Sequence, residues 1–300
     1  MPPMVVVLAV FLVLFVLRVP IGIVLLASTI VGLVLAPDSI PWSTLPTSMW
    51  QGINHFVLMA IPFFILMGDL ALASGVTQRL VTLAKAFVGH ISGGLAHVSV
   101  LVNIIMAGMS GSDLADAAAT GKLLIPAMRR VGYPPGYAAS IIAGSATIGP
   151  LIPPSIAFII FAAATDSSVG RLFLGGAIPG LMLGVLLMLQ AYVVARRQGY
   201  PREVKASYRE RARATFVGLP VLLLPVLVLG SILTGVATPT EASVLGVLAV
   251  ILIGGLIYRD LTLAIFGRQV IATLKTVGSV FFIIAAAAAF GRILTLYGAA

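Results

Sequence analysis

The chain has 300 residues, 60% hydrophobic and only 9% charged, against about 25% charged in a soluble domain, so lipid must be its main solvent. Its net charge of +9 does not mark a nucleic-acid partner, because the cations sit in short gaps between apolar runs and form no basic face with interleaved aromatics. With no cysteine, disulfides and thiolate metal sites are excluded, and the redox compartment stays open.

Taken in chain order, apolar stretches near the spanning length of about 20 residues fall at 2–18, 19–36, 56–74, 172–195, 215–236, 239–258 and 276–296. Met1 to Leu17 is uncharged and Arg18 follows it, the reverse of a signal peptide. A retained first span with an external N-terminus is therefore expected. Pro37, Asp38, Pro41 and Pro46 predict an external loop over 37–55, holding Trp42 and Trp50 at the interface. Two stretches, 77–92 and 260–275, mix cations with leucines and isoleucines. They read as helices in the interface plane or as helix ends that snorkel their charges.

The densest charge cluster is Arg196, Arg197, Arg202, Lys205, Arg209, Arg211 and Arg213. It lies between two clean spans and reads as a cytoplasmic linker over 196–213. It also looks like the joint of an internal repeat. Val19-Pro20-Ile21-Gly22 and Thr238-Pro239-Thr240-Glu241 each open an apolar span. Pro62-Phe63-Phe64-Ile65-Leu66 and Val280-Phe281-Phe282-Ile283-Ile284 then follow at the same spacing to within a residue. With an external N-terminus and a cytoplasmic joint, the halves run in opposite directions, as in many secondary transporters. Residues 1–195 would be the first inverted repeat and 214–300 an incomplete second one. The expectation is a fragment.

The region 93–165 carries the candidate chemistry. Leu95 to Met109 is too short to span comfortably and ends in Ser110-Gly111-Ser112-Asp113. Cations at Lys85 and Lys122 put both ends on the cytoplasmic side, so 94–121 reads as a re-entrant hairpin with its tip at Ser110-Gly111-Ser112. Asp113 and Asp116 are one turn apart, on one face, and an acid inside the bilayer is usually functional. A base near water, with Lys122 as partner, is the other reading. Asn103 is a modest polar candidate at the hairpin. Residues 137–165 form a second interrupted element. Its centre, Ser145-Ala146-Thr147-Ile148-Gly149-Pro150-Leu151-Ile152-Pro153-Pro154-Ser155, cannot continue a helix. Freed carbonyls there can hold a cation, and the next half-helix offers its N-terminus to an anionic group. A plain Pro-kinked helix is the structural alternative. Hydroxyl and carbonyl oxygens of Ser110, Ser112, Ser145 and Thr147 are candidate ion ligands. Glu241 reads as a helix N-terminal charge.

Ser110-Gly111-Ser112 with Asp116, Pro126-Ala127-Met128, Gly132-Tyr133 and Thr147 through Ser155 resemble the large, DctM-like permease subunit of tripartite ATP-independent periplasmic (TRAP) transporters. Thr238-Pro239-Thr240-Glu241-Ala242 resembles that family's second-half opening. The resemblance implies an all-α polytopic membrane protein with the inverted-repeat, elevator-type fold, a re-entrant hairpin and Pro-broken helices. It implies Na⁺-coupled import of an organic acid across a bacterial inner membrane, such as a C4-dicarboxylate or sialic acid, with the N-terminus periplasmic. A small four-helix membrane subunit and a periplasmic binding protein would be its partners, with no nucleic acid and no organic cofactor. Ser110, Gly111, Ser112, Ser145, Thr147, Gly149 and Pro150 would hold Na⁺. Ser112, Asp116, Pro153, Pro154 and Ser155 would meet the substrate. Another ion-coupled anion transporter of the same superfamily is the alternative, and a channel is a weaker one, since channels need no inverted repeat. No enzyme is expected. Asp113 and Asp116 share one helix, unlike the paired acids of a membrane protease, and no P-loop occurs.

Overall fold

The computed structural model describes residues 2–36 and 40–298. Pro37 and Asp38, part of the predicted external loop, lie outside the described residues. In chain order the helices are α1 (Pro3–Val16), α2 (Ile21–Val34), α3 (Thr44–Ile53), α4 (Ala60–Ala73), α5 (Val76–Val88) and α6 (Gly94–Ser110). Then come α7 (Asp113–Arg130), α8 (Pro135–Ala146), α9 (Ile156–Thr165), α10 (Val169–Gln198), α11 (Tyr208–Leu233), α12 (Pro239–Leu252) and α13 (Leu263–Leu296). A 3₁₀ turn, Phe56–Met59, leads into α4, and a π-helical turn, Ile253–Ile257, extends α12. Among the described residues, Phe56–Ala73, α10, α11, Pro239–Ile257 and α13 are long and apolar enough to cross a membrane, and none of the described residues is in a strand.

The chain forms two compact units, residues 1–58 with 274–300, and residues 59–273. In the first, α1 and α2 pack together. They are 14 residues each, shorter than predicted, because Arg18 (φ 60°) and Pro20 interrupt the chain between them. Gly22 and Gly32 let α2 sit close to the end of α13, since a Cβ at Gly22 would lie 2.7 Å from the Phe282 ring. The Tyr297 hydroxyl donates to the Gly32 carbonyl at 2.7 Å, and Phe11 stacks on Phe290 with centroids 5.5 Å apart. The segment predicted as loop 37–55 contains α3, which carries an exposed Trp50.

In the second unit, α6 is the centre. It packs against α4, α5, α7, α8, α10 and α11, and most of its side chains are buried, as expected for a helix apolar all round. The amphipathic α5 turns Leu80, Leu83 and Ala84 inward and packs on α6 and α11. The linker returns to α5. The Glu203 N–H donates to the Gly89 carbonyl at 3.0 Å, Lys85 pairs with Glu203 at 2.9 Å, and Arg211 Nε donates to the Ala86 carbonyl at 3.1 Å. Thr238 and Glu241 form a capping box at the start of α12. The separate stretches predicted at 260–275 and 276–296 are one continuous helix, α13. This agrees with the alternative of a helix end that carries its own Arg268, Gln269 and Lys275, since no residue in that stretch breaks the backbone ladder.

Candidate functional site

The site is built where two helix interruptions meet. α6 ends at Ser110, Gly111 takes the left-handed conformation (φ 57°), and Ser112 caps α7 by accepting the Ala115 N–H. This turn is the tip of a helical hairpin. The second interruption separates α8 from α9 over residues 147–155. Pro150, Pro153 and Pro154 supply no N–H there, and the Pro153–Pro154 peptide is cis. Ser155 restarts the helix, its hydroxyl accepting the Phe158 N–H at 3.4 Å.

Glycines set the approach of the two. A Cβ at Gly111 would lie 2.6 Å from the Pro154 carbonyl oxygen. On the other side, a Cβ at Gly149 would lie 3.3 Å from the Asp113 nitrogen. Gly68 of α4 backs the tip, where a Cβ would fall 2.9 Å from Ser110 Cα. Gly180 and Gly184 of α10 seat Ile152 and Ile104, so this helix supports the same region.

A buried network fixes the tip. The Ser110 hydroxyl donates to Asp116 Oδ1 at 2.7 Å and accepts the Ser112 N–H at 3.3 Å. Thr120 Oγ1 donates to the Asp116 carbonyl at 2.6 Å. Asp116 is fully buried, and its Oδ2 has no hydrogen-bond partner. The two acids predicted on one face part company. Asp113 is exposed and accepts the Leu114 N–H at 2.8 Å. Among the described residues neither acid pairs with Lys122.

Ser145 belongs to a second polar cluster. It lies 2.6 Å from Asn103 Nδ2, which donates to it, and 3.2 Å from the Ser99 hydroxyl. Asn103 Oδ1 is buried without a partner. Asn103 and Ser110 are seven residues apart along α6, about 10 Å, so Ser145 stands roughly two turns from the tip. Thr147 is exposed, and its hydroxyl donates back to the Gly144 carbonyl at 2.7 Å. Gly149, Pro153, Pro154 and Ser155 are buried beside the tip, and Pro150 is half-buried. Sequence reading passed over Ser99. Its signal is the i, i+4 spacing to Asn103 on one face of an apolar helix. It also passed over Asp69, an acid in the apolar α4 that accepts from Thr273 at 2.6 Å.

Chemically, the site offers hydroxyl, amide and carbonyl oxygens and unpartnered buried oxygens. Among the described residues it offers no cluster of three His, Cys, Asp or Glu. Such a set suits a hard cation. The N-terminus of α9 adds N–H donors and the positive end of a dipole.

The sequence profile described as "Tripartite ATP-independent periplasmic transporter, DctM component" matches residues 8–300. The chain is 40% identical over 270 residues to the C4-dicarboxylate TRAP transporter large permease protein DctM of Pseudomonas aeruginosa, covering 90% of this chain and 63% of that protein. It is 39% identical over 246 residues to the sialic acid TRAP transporter large permease protein SiaM of Vibrio cholerae, covering 82% and 58%. Over 246 residues it is 40% identical to the 2,3-diketo-L-gulonate TRAP transporter large permease protein YiaN of Escherichia coli, again covering 82% and 58%. The chain thus spans about three fifths of the length of these curated relatives. With helices long enough to cross a bilayer and a profile match over nearly its whole length, this multi-pass membrane protein belongs to the DctM component family of tripartite ATP-independent periplasmic transporters.

Proposed function

We propose that this chain acts as the permease component of a Na⁺-coupled carrier that imports an organic acid across a bacterial inner membrane. The observation that carries the reading is the contact of the Gly111 turn with the Pro154 carbonyl. It joins two non-helical segments in one buried place, and irregular backbone at membrane depth is tolerated where it is buried or lines a cavity. In this reading Ser110, Gly111, Ser112, Gly149 and Pro150 offer oxygens to Na⁺. Ser145 and Thr147 flank them where the broken helix ends. Ser112, Asp116, Pro153, Pro154 and Ser155 line the half of the substrate site next to the α9 N-terminus, where a carboxylate would face a positive dipole.

The wider reading keeps 1–195 as the first inverted repeat, with a re-entrant hairpin at 94–121 and a broken helix at 137–165. The linker 196–213 is cytoplasmic and 214–300 opens the second repeat. The N-terminus is periplasmic. A periplasmic binding protein delivers the solute and a small four-helix subunit stands beside the permease. The names of the relatives, which include sialic acid and C4-dicarboxylate transporters, support an organic acid as the solute. An elevator motion would carry the hairpin and broken helix together.

Solute uptake by the intact transporter, measured against Na⁺ concentration, tests this. Asp116→Asn is expected to weaken the Na⁺ dependence without loss of membrane insertion. Unaltered Na⁺ dependence would show that the Asp116 charge does not serve the ion, and uptake that needs no Na⁺ in the parent protein would overturn the coupling. Orientation has its own test, because the chain has no cysteine. Ser43→Cys should label from outside the cell and Ser207→Cys should not.

A further inference from the structure

We propose that the cleft between α11 and the end of α12 is a binding site for one inner-leaflet phospholipid with a primary-ammonium headgroup, of the phosphatidylethanolamine class. The cleft has two adjoining parts. One is an apolar groove of about 900 Å³, walled by Phe216, Leu219, Leu223, Leu227, Leu252 and Ile257. The other is a polar pocket of about 550 Å³, lined by Gln78, Arg79, Thr82, Glu210, Arg213 and Asp260. Arg79 and Val217 line both, so the two communicate.

The dimensions fit a lipid tail. Phe216, Leu219, Leu223 and Leu227 form one stripe of α11 at helical spacing. Eleven residues of helix rise about 17 Å. One leaflet of hydrocarbon is about 15 Å deep, half of a core of about 30 Å. The polar pocket sits at the first turns of α11, beside the basic linker, which places it at the cytoplasmic headgroup level. The wall is shaped by an irregular backbone. The π-helical turn Ile253–Ile257 forms one side. On the other, the Tyr258 hydroxyl donates to the Val217 carbonyl at 2.7 Å. The Arg79 guanidinium lies 3.8 Å over the Tyr258 ring. These three residues make a fixed sill between groove and pocket.

The charges point to a zwitterion. The pocket carries two arginines and two carboxylates, so it has no net charge to favour an anionic lipid. Arg79 is committed to Asp260 at 2.7 Å and to the Ser74 and Gly75 carbonyls. Arg213 has no ion pair or hydrogen bond among the described residues, and it is the donor left for a phosphate. Asp260 commits Oδ2 to Arg79 and Glu210 commits Oε2 to the Ser207 cap. The second oxygen of each can accept from an ammonium. A trimethylated ammonium has no N–H to donate there, and a glycerol headgroup brings no positive charge.

The intact transporter, purified and delipidated, would be titrated by native mass spectrometry with phosphatidylethanolamine, phosphatidylcholine and phosphatidylglycerol of identical acyl chains. Phosphatidylethanolamine should bind about tenfold more tightly than either competitor, the loss expected from one charge-assisted hydrogen bond. Arg213→Gln should remove a similar factor, and Leu223→Trp should block the groove. Equal affinity for the three headgroups in the parent protein would overturn the proposal with no variant needed. So would wild-type phosphatidylethanolamine binding in monodisperse Arg213→Gln and Leu223→Trp proteins. A disulfide formed between Leu223→Cys and a cysteine placed in the small membrane subunit of the same complex would show that polypeptide covers the cleft, and would overturn it too.

Discussion

The two helix interruptions share a serine cap on the helix that follows, Ser112 and Ser155, but differ in what makes them. The hairpin tip is held by side chains, with Ser110 bonded to Asp116 and Ser112 capping the next helix. The break over 147–155 is made by deleting donors. Three prolines supply no N–H, although the Gly149 N–H still reaches the Ala146 carbonyl and those of Leu151 and Ile152 the Ile148 carbonyl, and the Thr147 hydroxyl turns back to Gly144. A side-chain network makes a rigid wall, whereas a stretch short of N–H donors keeps carbonyl oxygens for a ligand. A carrier needs both, a fixed surface and oxygens that can meet an ion. The contrast says which substitutions should hurt through geometry and which through chemistry.

The sharpest test of the geometric half is Gly111→Ala. A left-handed residue with a Cβ costs about 1–2 kcal/mol, and here the Cβ would also press on the Pro154 carbonyl, 2.6 Å away. Neither atom is the end of a flexible side chain. Uptake should fall to background while the protein still reaches the membrane. Near-parent uptake would mean that the tip and the break need not touch.

Asp116→Ala comes next. It orphans the buried Ser110 hydroxyl and should cost about 1–3 kcal/mol, read as a lower unfolding temperature in detergent. An unchanged transition would deny the tip its side-chain lock. Ser145→Ala should be milder. It removes the partner of Asn103 and Ser99, and polar contacts between membrane helices are worth about 1–2 kcal/mol at most in simple systems. The smallest effect belongs to Thr147→Ala, within about 0.5 kcal/mol, because an exposed hydroxyl bonded to its own helix is readily replaced. If Thr147→Ala proved more damaging to stability than Ser145→Ala, the assignment of buried and exposed roles would be reversed.

Both interruptions were legible in the sequence because they are written in residues with strong local rules. Ser110-Gly111-Ser112 and the prolines at 150, 153 and 154 dictate backbone conformation on their own. The capping box at Thr238 and Glu241 is legible for the same reason. What stayed hidden depends on partners distant in sequence. Ser145 reads as a neighbour of the tip, yet its partners are Ser99 and Asn103, 46 and 42 residues away. Asp69 finds Thr273 across 204 residues. Asp113 and Asp116 lie one turn apart, but tertiary packing buries one and exposes the other. Misreadings came from local signals that the surrounding helix overrode. Arg268 and Lys275 suggested a boundary inside α13, and Pro46 suggested loop where the first turn of α3 accommodates a proline.

The central claim is that the break beside the hairpin tip binds the coupling ion. The most direct measurement uses Thr147→Cys as a reporter in a chain that has no native cysteine. Thr147 is exposed at the start of the break, so the variant should keep transport activity and react with a maleimide. Saturable slowing of that reaction by Na⁺, with no effect of K⁺ or choline at equal ionic strength, is the predicted result. Labelling rates identical in all three salts, in a variant that still transports, would contradict the account.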